Sequence, residues 1–257
     1  MPDDGLQQAI RAAGGVTALA RRIGISQPSV SKWSRVPVER VLTVEAATGV
    51  ARVILRPDLY GESRLPTVDE VDLARAQEYA LLAALLTRAP DAAFLERLAK
   101  LRGDPTPLGI AHVGLADAAS RADAGKVGRE YFNLFIGIGR GELMPYGSYY
   151  IAGFLHERPL ARLREDIAAL GIERVEDQFD PEDHAGILCE IMAGMAGGQV
   201  PAPGGADRQL FERHLAPWLG RFFTDLESSE SANFYRSVGT LGRVFIEIET
   251  EAFALTD

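Results

Sequence analysis

Cysteine is almost missing from this chain of 257 residues, which has one, Cys189. A single cysteine cannot form an internal disulfide, and such usage is typical of proteins in a reducing compartment. The sequence also lacks an apolar run long enough to span a bilayer. Its first residues, Met-Pro-Asp-Asp, contain no basic segment followed by an apolar core. We therefore predict a cytoplasmic protein with no membrane segment.

Metal-ligating and catalytic patterns are scarce as well. The four histidines, at positions 112, 156, 184 and 214, are not paired with one another or with Cys189 at the spacing of zinc ligands. No nucleophile, base and orienting residue can be assigned together. We predict no metal, no cofactor and no enzymatic activity.

Charge is present but unevenly distributed. Residues 1–60 contain eight Lys/Arg and five Asp/Glu, a net charge of +3, whereas residues 61–257 contain 19 and 31, a net charge of −12. Only the N-terminal segment is electrostatically suited to a polyanion such as DNA. Two domains with different tasks are therefore expected.

The N-terminal segment has the start and stop signals of several short helices. Leu6–Ala13 is predicted as the first helix, Thr17 as the cap of the second, and Ser26 as the cap of a third over Gln27–Trp33. The apolar positions fall where two short helices crossing at a tight turn would bury them: Leu19, Ile23, Ile25, Val30 and Trp33. This spacing is typical of a helix-turn-helix, in which the second helix enters the major groove.

The face opposite Val30 and Trp33 carries the residues that would contact DNA. These candidates are Gln27, Ser29, Ser31 and Lys32. A fourth helix is predicted from Pro37 to Gly49, with one face formed by Val38, Val41, Leu42 and Ala46. The alternative is a small helical domain that binds no DNA.

Residues 5–60 resemble the YdaS-like, Cro-like DNA-binding domain of phage and antitoxin-type regulators. The resemblance is carried by Gly15-Val16, Leu19-Ala20, the stretch Ile25 to Trp33, Val36-Pro37, Glu45-Ala46, Thr48-Gly49 and Leu55 to Asp58. It implies DNA binding, usually as a homodimer. We assign residues 1–60 to this domain and residues 61–67, which contain Gly61 and Pro66, to a linker.

Residues 68–257 are predicted to be helical throughout. Near the C-terminus a strand is conceivable over Val244–Glu249, but apolar residues recur at three- and four-residue steps: Phe234, Val238, Leu241, Phe245 and Ile248. That period favours a helix. We predict an all-α protein with a small N-terminal and a larger C-terminal domain.

The stretch Asp180-Pro181-Glu182-Asp183-His184 is predicted to begin a helix. Asp180 would cap it, Pro181 would take the first helical position, and Asp183 would fall roughly at the capping-box position. His184 is not explained by these preferences. The stretch is either a surface capping cluster or a recognition site in which an imidazole lies beside a carboxylate.

A glycine-rich loop runs from Ile136 to Tyr150. A phosphate-binding loop is disfavoured because no strand precedes it and no Gly-Lys-Ser/Thr ends it. The loop would instead present rigid apolar surface from Met144, Pro145, Tyr146, Tyr149 and Tyr150, suited to an apolar peptide. The alternative is an aromatic plug that seals the core. His214 and Trp218, with the aromatic residues after them, are predicted to be core.

Residues 68–257 resemble the TorD/DmsD/NarJ family of cytoplasmic chaperones for molybdenum-cofactor enzymes. The matching motifs are Tyr131-x-x-Leu134-Phe135, Pro145-Tyr146-x-Ser148-x-Tyr150, Pro181-x-Asp183-His184 and His214-Leu215-x-Pro217-Trp218. The chain departs from the family in having Ile138 between two glycines, Met144 in place of a proline, and Gly147 in place of a glutamate. Nearby acids that could replace that carboxylate are Asp177, Asp180, Glu182 and Asp183.

The resemblance implies an all-helical chaperone that binds the twin-arginine signal peptide of a molybdopterin-dependent oxidoreductase. The client would be a formate dehydrogenase or a dimethyl-sulfoxide reductase relative, held until its cofactor is inserted before export. The peptide-binding positions implied are Asp183, His184, Pro145, Tyr146, Ser148, Tyr150, Tyr131 and Phe135. The alternative function is a transcriptional regulator whose larger domain senses client enzyme or cofactor.

Overall fold

The computed structural model of the chain describes residues 4–57, 68–173 and 180–255. The chain forms two compact units, Met1–Thr67 and Val68–Asp257. The predicted linker, 61–67, lies outside the described residues. Within the described ranges all regular structure is helical, and the one β-type pairing is an isolated bridge between Tyr146 and His184. The predicted all-α fold is confirmed.

Within residues 4–57, the first unit contains five short helices and one turn of 3-10 helix. The 3-10 turn, Val38–Arg40, leads directly into the fourth helix, which ends at Gly49 in the left-handed conformation (φ 71°) that glycine adopts without strain. The helices are α1 (Asp4–Ala13), α2 (Val16–Arg22), α3 (Gln27–Ser31), α4 (Val41–Thr48) and α5 (Arg52–Leu55).

The core of the first unit lies between α1, α2 and α4. Its buried side chains include Leu6, Leu19, Ile23, Val30, Val36, Val41, Val44 and Leu55. The predicted shared face of the fourth helix is wrong, because Val38 and Leu42 are each 55% exposed. The 3-10 turn has three residues per turn rather than 3.6, so it shifts the register and directs Val41 and Val44 inward.

Of the two helix caps predicted in this unit, the position of Ser26 is confirmed and that of Thr17 is wrong. Helix α2 begins at Val16 with Gly15 as its N-cap, so Thr17 is already inside the helix. Ser26 does occupy the N-cap position of α3, but its side chain makes no capping bond. Its hydroxyl is hydrogen-bonded to Ser29 Oγ at 2.7 Å instead.

The second unit contains ten α-helices among its described residues, with two short π-helical turns at Phe132–Ile136 and Phe211–Leu215. Five of these helices begin with a capping side chain that accepts a backbone N–H: Asp69, Asp91, Thr106, Asp123 and His184. In order they are α6 (Glu70–Thr87), α7 (Ala92–Leu98), α8 (Pro107–Ser120), α9 (Ala124–Tyr131), α10 (Gly147–Ala152), α11 (Arg158–Ala169), α12 (Ala185–Ala196), α13 (Ala206–Leu210), α14 (Leu219–Ser228) and α15 (Phe234–Ala254).

The core of the second unit is built on two helix packings. Helix α6 packs against α12, and the C-terminal helix α15 packs against α14 and α8. The largest fully buried side chains are aromatic: Trp218, Tyr79, Tyr235, Phe211, Phe222 and Phe223. The helical period predicted for residues 234–248 is confirmed, since these residues lie within α15.

A buried ion pair joins α6 to α15. Glu249 is 1% exposed and receives hydrogen bonds from Arg75 Nε at 2.8 Å, from Arg75 Nη2 at 2.9 Å and from the Tyr79 hydroxyl at 2.9 Å. Arg75 also contacts Asp207 of α13 at 3.1 Å. A carboxylate buried this deeply is tolerated because its charge is paired and hydrogen-bonded.

None of the helices described for the two units combines the length and the apolar content that a bilayer crossing requires.

Candidate functional site

The structure brings the 144–147 loop and the Asp183–His184 pair into direct contact. The Gly147 N–H donates to the Asp183 carbonyl at 2.9 Å, and the Ala185 N–H donates to the Pro145 carbonyl at 2.8 Å. These bonds flank the antiparallel bridge between Tyr146 and His184. Two motifs more than thirty residues apart in sequence therefore form one site.

Asp183 is the buried acid of this site. It is 3% exposed, and its Oδ2 accepts the Ser148 N–H at 2.6 Å. Its Oδ1 and the Ser148 Oγ are both buried, and neither has a hydrogen-bond partner among the described residues. Buried polar atoms usually have partners, so these two atoms mark a position where a ligand group could complete the bonding.

His184 is the N-cap of α12, not a residue of its first turn. Its Nδ1 accepts the Gly186 N–H at 3.1 Å, which requires an unprotonated nitrogen. Burial lowers the pKa of His184, although Asp180 and Asp183 oppose that shift. The predicted start at Asp180 and Pro181 is wrong, because the Asp183 carbonyl and the Ala185 N–H are bonded to the loop, and the helix begins only at Ala185.

Asp180 accepts a tyrosine hydroxyl instead of capping the helix. The Tyr146 hydroxyl donates to Asp180 Oδ1 at 2.7 Å, and the Tyr146 ring meets the His184 ring edge-on at 5.2 Å between centroids. Burial and this hydrogen bond raise the pKa of Tyr146. Burial, with a smaller contribution from Asp180, raises the pKa of Tyr131 to about 12.

The other acids predicted as alternatives are less available. Glu182 is paired with Arg164, whose Nε and Nη2 lie 2.9 and 2.8 Å from Glu182 Oε2. Asp177 lies outside the described residues. Asp183 borders an open cleft, and neither Asp180 nor Glu182 is among the residues that line that cleft.

The remaining aromatic candidates are half-buried and packed against the core. The Tyr150 ring lies 5.4 Å from that of Trp218, and its hydroxyl donates to Asp225 at 2.9 Å. Tyr131 and Phe135 pack edge-on at 5.1 Å, and the Tyr131 hydroxyl donates to the Leu86 carbonyl at 3.1 Å. These side chains are the packed support behind the loop, as the plug hypothesis describes.

A cleft of about 500 Å³ opens beside this site. Gly147 and Asp183 line it together with His214 and Pro217, so three of the matching motifs meet there. The remaining lining residues are Ile151, Pro159, Arg162, Leu163, Glu165, Asp166 and Arg213. A cleft of this size accommodates one or two large side chains of a ligand.

Apart from Asp183, the charged residues that line this cleft were not predicted from the sequence. Arg162, Glu165 and Asp166 lie on α11, whose other face buries Leu160, Leu163 and Ile167 at helical spacing. That spacing is readable from the sequence and predicts a charged outer face. It does not predict which neighbour the face borders, because the neighbour comes from a distant segment.

His214 has partners, as expected, but it also lines the cleft. Its Nε2 lies 2.7 Å from Asp166 Oδ2, and its carbonyl accepts the Trp218 Nε1–H at 2.7 Å. A β-carbon added at Gly147 would lie 3.0 Å from Trp218 Nε1. The Trp218 indole therefore leaves little room for a side chain at position 147, where the family has a glutamate.

The glycine loop before the site is not a phosphate loop. It follows a helix, α9 with its π turn, rather than a strand. Gly137 and Gly139 have positive φ values of 63° and 92°, and the Leu143 N–H returns to the Leu134 carbonyl at 2.8 Å. The glycines let the backbone reverse so that the following loop reaches residues 183–185.

In the first unit the predicted DNA-contact residues share an exposed surface. Gln27, Ser29, Ser31 and Lys32 are all exposed, whereas Val30 is buried. Gln27 Nε2 donates to Ser31 Oγ at 2.8 Å along the helix. The surface is polar and accessible, as recognition of a nucleic acid requires.

No cluster of three or more metal-ligating side chains occurs among residues 4–57, 68–173 and 180–255.

Comparison with known proteins gives two family matches. The model of the nitrate reductase delta subunit matches residues 101–224, and that of the bacterial toxin YdaS matches residues 6–64. Chaperone protein TorD of Vibrio cholerae serotype O1 is 25% identical over 127 residues, 46% of this chain and 58% of TorD. TorD of Vibrio atlanticus is 22% identical over 135 residues, 49% of this chain and 63% of that protein.

A crystal structure from Archaeoglobus fulgidus, assigned to redox enzyme maturation, is similar with a TM-score of 0.47 and 20% identity. The match covers 67% of this chain and 93% of that one.

Both predicted resemblances are confirmed. The second unit contains a region similar to the nitrate reductase delta subunit model and to chaperone protein TorD, and the first unit contains a YdaS-like region. The named relatives are chaperones, in agreement with the prediction that the protein is not an enzyme. The chain spans about three-fifths of the length of the curated relatives that it matches, so its client and partners are matters for proposal.

Proposed function

We propose that the second unit is a cytoplasmic chaperone that binds the twin-arginine signal peptide of a molybdopterin-dependent oxidoreductase. The client would be a formate dehydrogenase or a dimethyl-sulfoxide reductase relative, held in its apo form while the cofactor is inserted before export. This function needs no catalysis and no cofactor of the chaperone's own.

One observation carries the proposal. The loop from Pro145 to Ser148 and the Asp183–His184 pair form a single site. Two residues of this site, Gly147 and Asp183, line the cleft. A carboxylate oxygen without a partner can accept a guanidinium hydrogen bond, and charge-assisted bonds of this kind are among the strongest in proteins. Ile151, Pro159 and Pro217 line the same cleft and offer apolar contacts to the hydrophobic part of a signal peptide.

The test is a fluorescence anisotropy titration of a labelled twin-arginine peptide against wild type, Asp183→Asn and His184→Asn. Asparagine is nearly isosteric with aspartate and is a good N-cap, so both variants should fold. We expect Asp183→Asn to weaken binding by about tenfold or more, the effect of losing one charge-assisted hydrogen bond.

Phe154→Asn is the matched control, because Phe154 is 71% exposed and does not line the cleft. It should bind the peptide as wild type does. Equal affinities for wild type, Asp183→Asn and His184→Asn would refute this site.

A second function is favoured by the exposed surface of α3 and by the match to the YdaS model. In this alternative the first unit binds DNA, as a homodimer, and the protein is a transcriptional regulator whose second unit senses free client or cofactor. The two functions are compatible, since an occupied chaperone would report unfinished enzyme.

A mobility-shift assay with DNA from upstream of the protein's own gene tests the alternative. The shift should be abolished by the double substitution Gln27→Ala and Lys32→Ala, and it should change when the twin-arginine peptide is added. A shift that survives the double substitution would show that α3 is not the recognition helix.

A further inference from the structure

An arginine of the chain itself, Arg213, already forms an ion pair with an acid of the cleft, Asp166. Arg213 Nη1 lies 3.3 Å from Asp166 Oδ2, and His214 Nε2 contacts the same oxygen at 2.7 Å. Asp166 and Arg213 both line the cleft that Asp183 borders. The guanidinium of Arg213 is therefore placed beside the site where a client arginine is proposed to bind.

The contact between Arg213 and Asp166 is of the weak, exchangeable kind. The two side chains are 63% and 37% exposed, and ion pairs as exposed as this contribute little to stability. The bond is also longer than that of a well-formed charged pair. An incoming guanidinium could replace Arg213 without disturbing the core.

The structure also provides space for the displaced side chain. Asp166 and Arg213 line a second, smaller cavity of about 120 Å³, together with residues of α11 and α13. Arg213 thus lies at the boundary between two openings. It can move away from the larger cleft while it remains on the protein surface.

We propose that Arg213 is an internal competitor for Asp166, and that Asp166 is a second guanidinium acceptor of the client site. This inference rests on the proposed function. When a twin-arginine peptide binds, one client guanidinium would meet Asp183 and the other would take Asp166 in place of Arg213. The competition would lower the affinity for weakly basic peptides and so favour segments with two adjacent arginines.

The competitor predicts a coupling that simple charge repulsion does not. Removing any positive charge near the cleft should help a cationic peptide to bind, whether or not Asp166 is present. Removing Arg213 should help further because Asp166 is freed, so the gain beyond this charge effect should vanish when Asp166 is replaced. Double-mutant cycles measure this difference.

The experiment titrates two synthetic peptides against the full chain: a twin-arginine peptide and the same peptide with both arginines replaced by glutamine. The variants are Arg213→Gln, Asp166→Asn, the double variant, and Arg162→Gln. Arg162 lines the same cleft, so it is the control for charge alone. Asn at 166 can keep its hydrogen bond to His214.

We expect Arg213→Gln to tighten binding of the twin-arginine peptide about threefold and Asp166→Asn to weaken it about fivefold, as for partly exposed ion pairs. In the Asp166→Asn background, the effect of Arg213→Gln should be no larger than that of Arg162→Gln. Arg162→Gln should have the same effect in both backgrounds. The glutamine peptide should not distinguish wild type from Arg213→Gln.

The outcomes separate this inference from the proposed function. If wild type binds the twin-arginine peptide through Asp183 but the effects of Arg213→Gln and Asp166→Asn are additive, the competitor is refuted and the client site stands. If wild type does not distinguish the two peptides, the proposed function fails first.

Discussion

The two units display their candidate contact residues in opposite ways. In the first unit, Gln27 and Lys32 are exposed on a five-residue helix whose other side is anchored by Val30. In the second unit, Asp183 and His184 are 3% and 4% exposed, and their side chains accept backbone hydrogen bonds from Ser148 and Gly186. The contact residues of the first unit are accessible to a partner, whereas those of the second unit are part of the packed interior.

This difference determines how substitutions should be interpreted. A substitution on α3 should change binding and leave folding intact. A substitution at Asp183 or His184 should change both, because a buried polar group supports the structure that surrounds it. The comparison can be tested by measuring stability and binding on the same variants.

The largest loss of stability is expected away from both surfaces, at Arg75. Arg75→Met would leave Glu249 buried with only the Tyr79 hydroxyl, and removing one partner of a buried ion pair costs about 3–5 kcal/mol. Urea denaturation of the second unit measures the change. Arg121→Met is the control, because the pair with Asp117 is largely exposed, and it should cost less than about 1 kcal/mol.

The second-largest loss of stability is expected at Asp183. Asp183→Ala leaves the buried Ser148 N–H without its acceptor, and we expect a loss of about 1–3 kcal/mol of unfolding free energy. Thermal and urea unfolding of the purified chain provide the measurement. If Asp183→Ala unfolds like wild type, the buried half of the comparison is wrong.

A pH-dependent difference is expected between two histidines of the second unit. Burial lowers the pKa of His184, so the unfolded chain binds its proton more readily and stability falls as the pH drops below about 6.5. The hydrogen bond with Glu78 raises the pKa of His112, so its contribution is present at low pH and is lost as the pH rises.

Urea midpoints between pH 5 and pH 8 test this pair. His184→Asn should reduce the loss of unfolding free energy on acidification, by at most about 1.4 kcal/mol for each pH unit. His112→Gln should have the opposite effect, because it removes a contribution that is present at low pH. The account of His184 as a neutral cap is contradicted if His184→Asn leaves the acid-side slope unchanged.

The smallest effect on stability is expected at Lys32. Lys32→Ala should change the unfolding free energy by less than about 0.5 kcal/mol, because the side chain is exposed. If Lys32 contacts a phosphate, the slope of log affinity for DNA against log salt should fall by about 0.9. An unchanged slope would remove Lys32 from the contact surface.

Local signals were enough for the fold and for much of the first unit. The stop at Gly49 and the helical period of residues 234–248 depend on neighbours in the sequence. The start of α12 could not be predicted in this way. His184 caps it because residues 183–185 pair with a loop nearly forty positions earlier, and helix-start preferences contain no information about that loop.

The cleft shows the same limit. Asp183 was identified through its motif, but Asp166 and Arg213 were not, because they carry no motif and meet only when α11 packs beside the segment that contains His214. A charged helix face was predictable from α11. Its role as a wall of the site required the tertiary structure.

Site-specific photocrosslinking tests the central claim most directly. p-Benzoylphenylalanine would replace Ile151, which lines the cleft and is 46% exposed, or Ile110, which is 63% exposed on α8 and does not line it. Irradiation with the twin-arginine peptide should give a cross-link at position 151 that excess unlabelled peptide removes, and only background at position 110. Equal yields at the two positions would show that the cleft is not where the peptide binds.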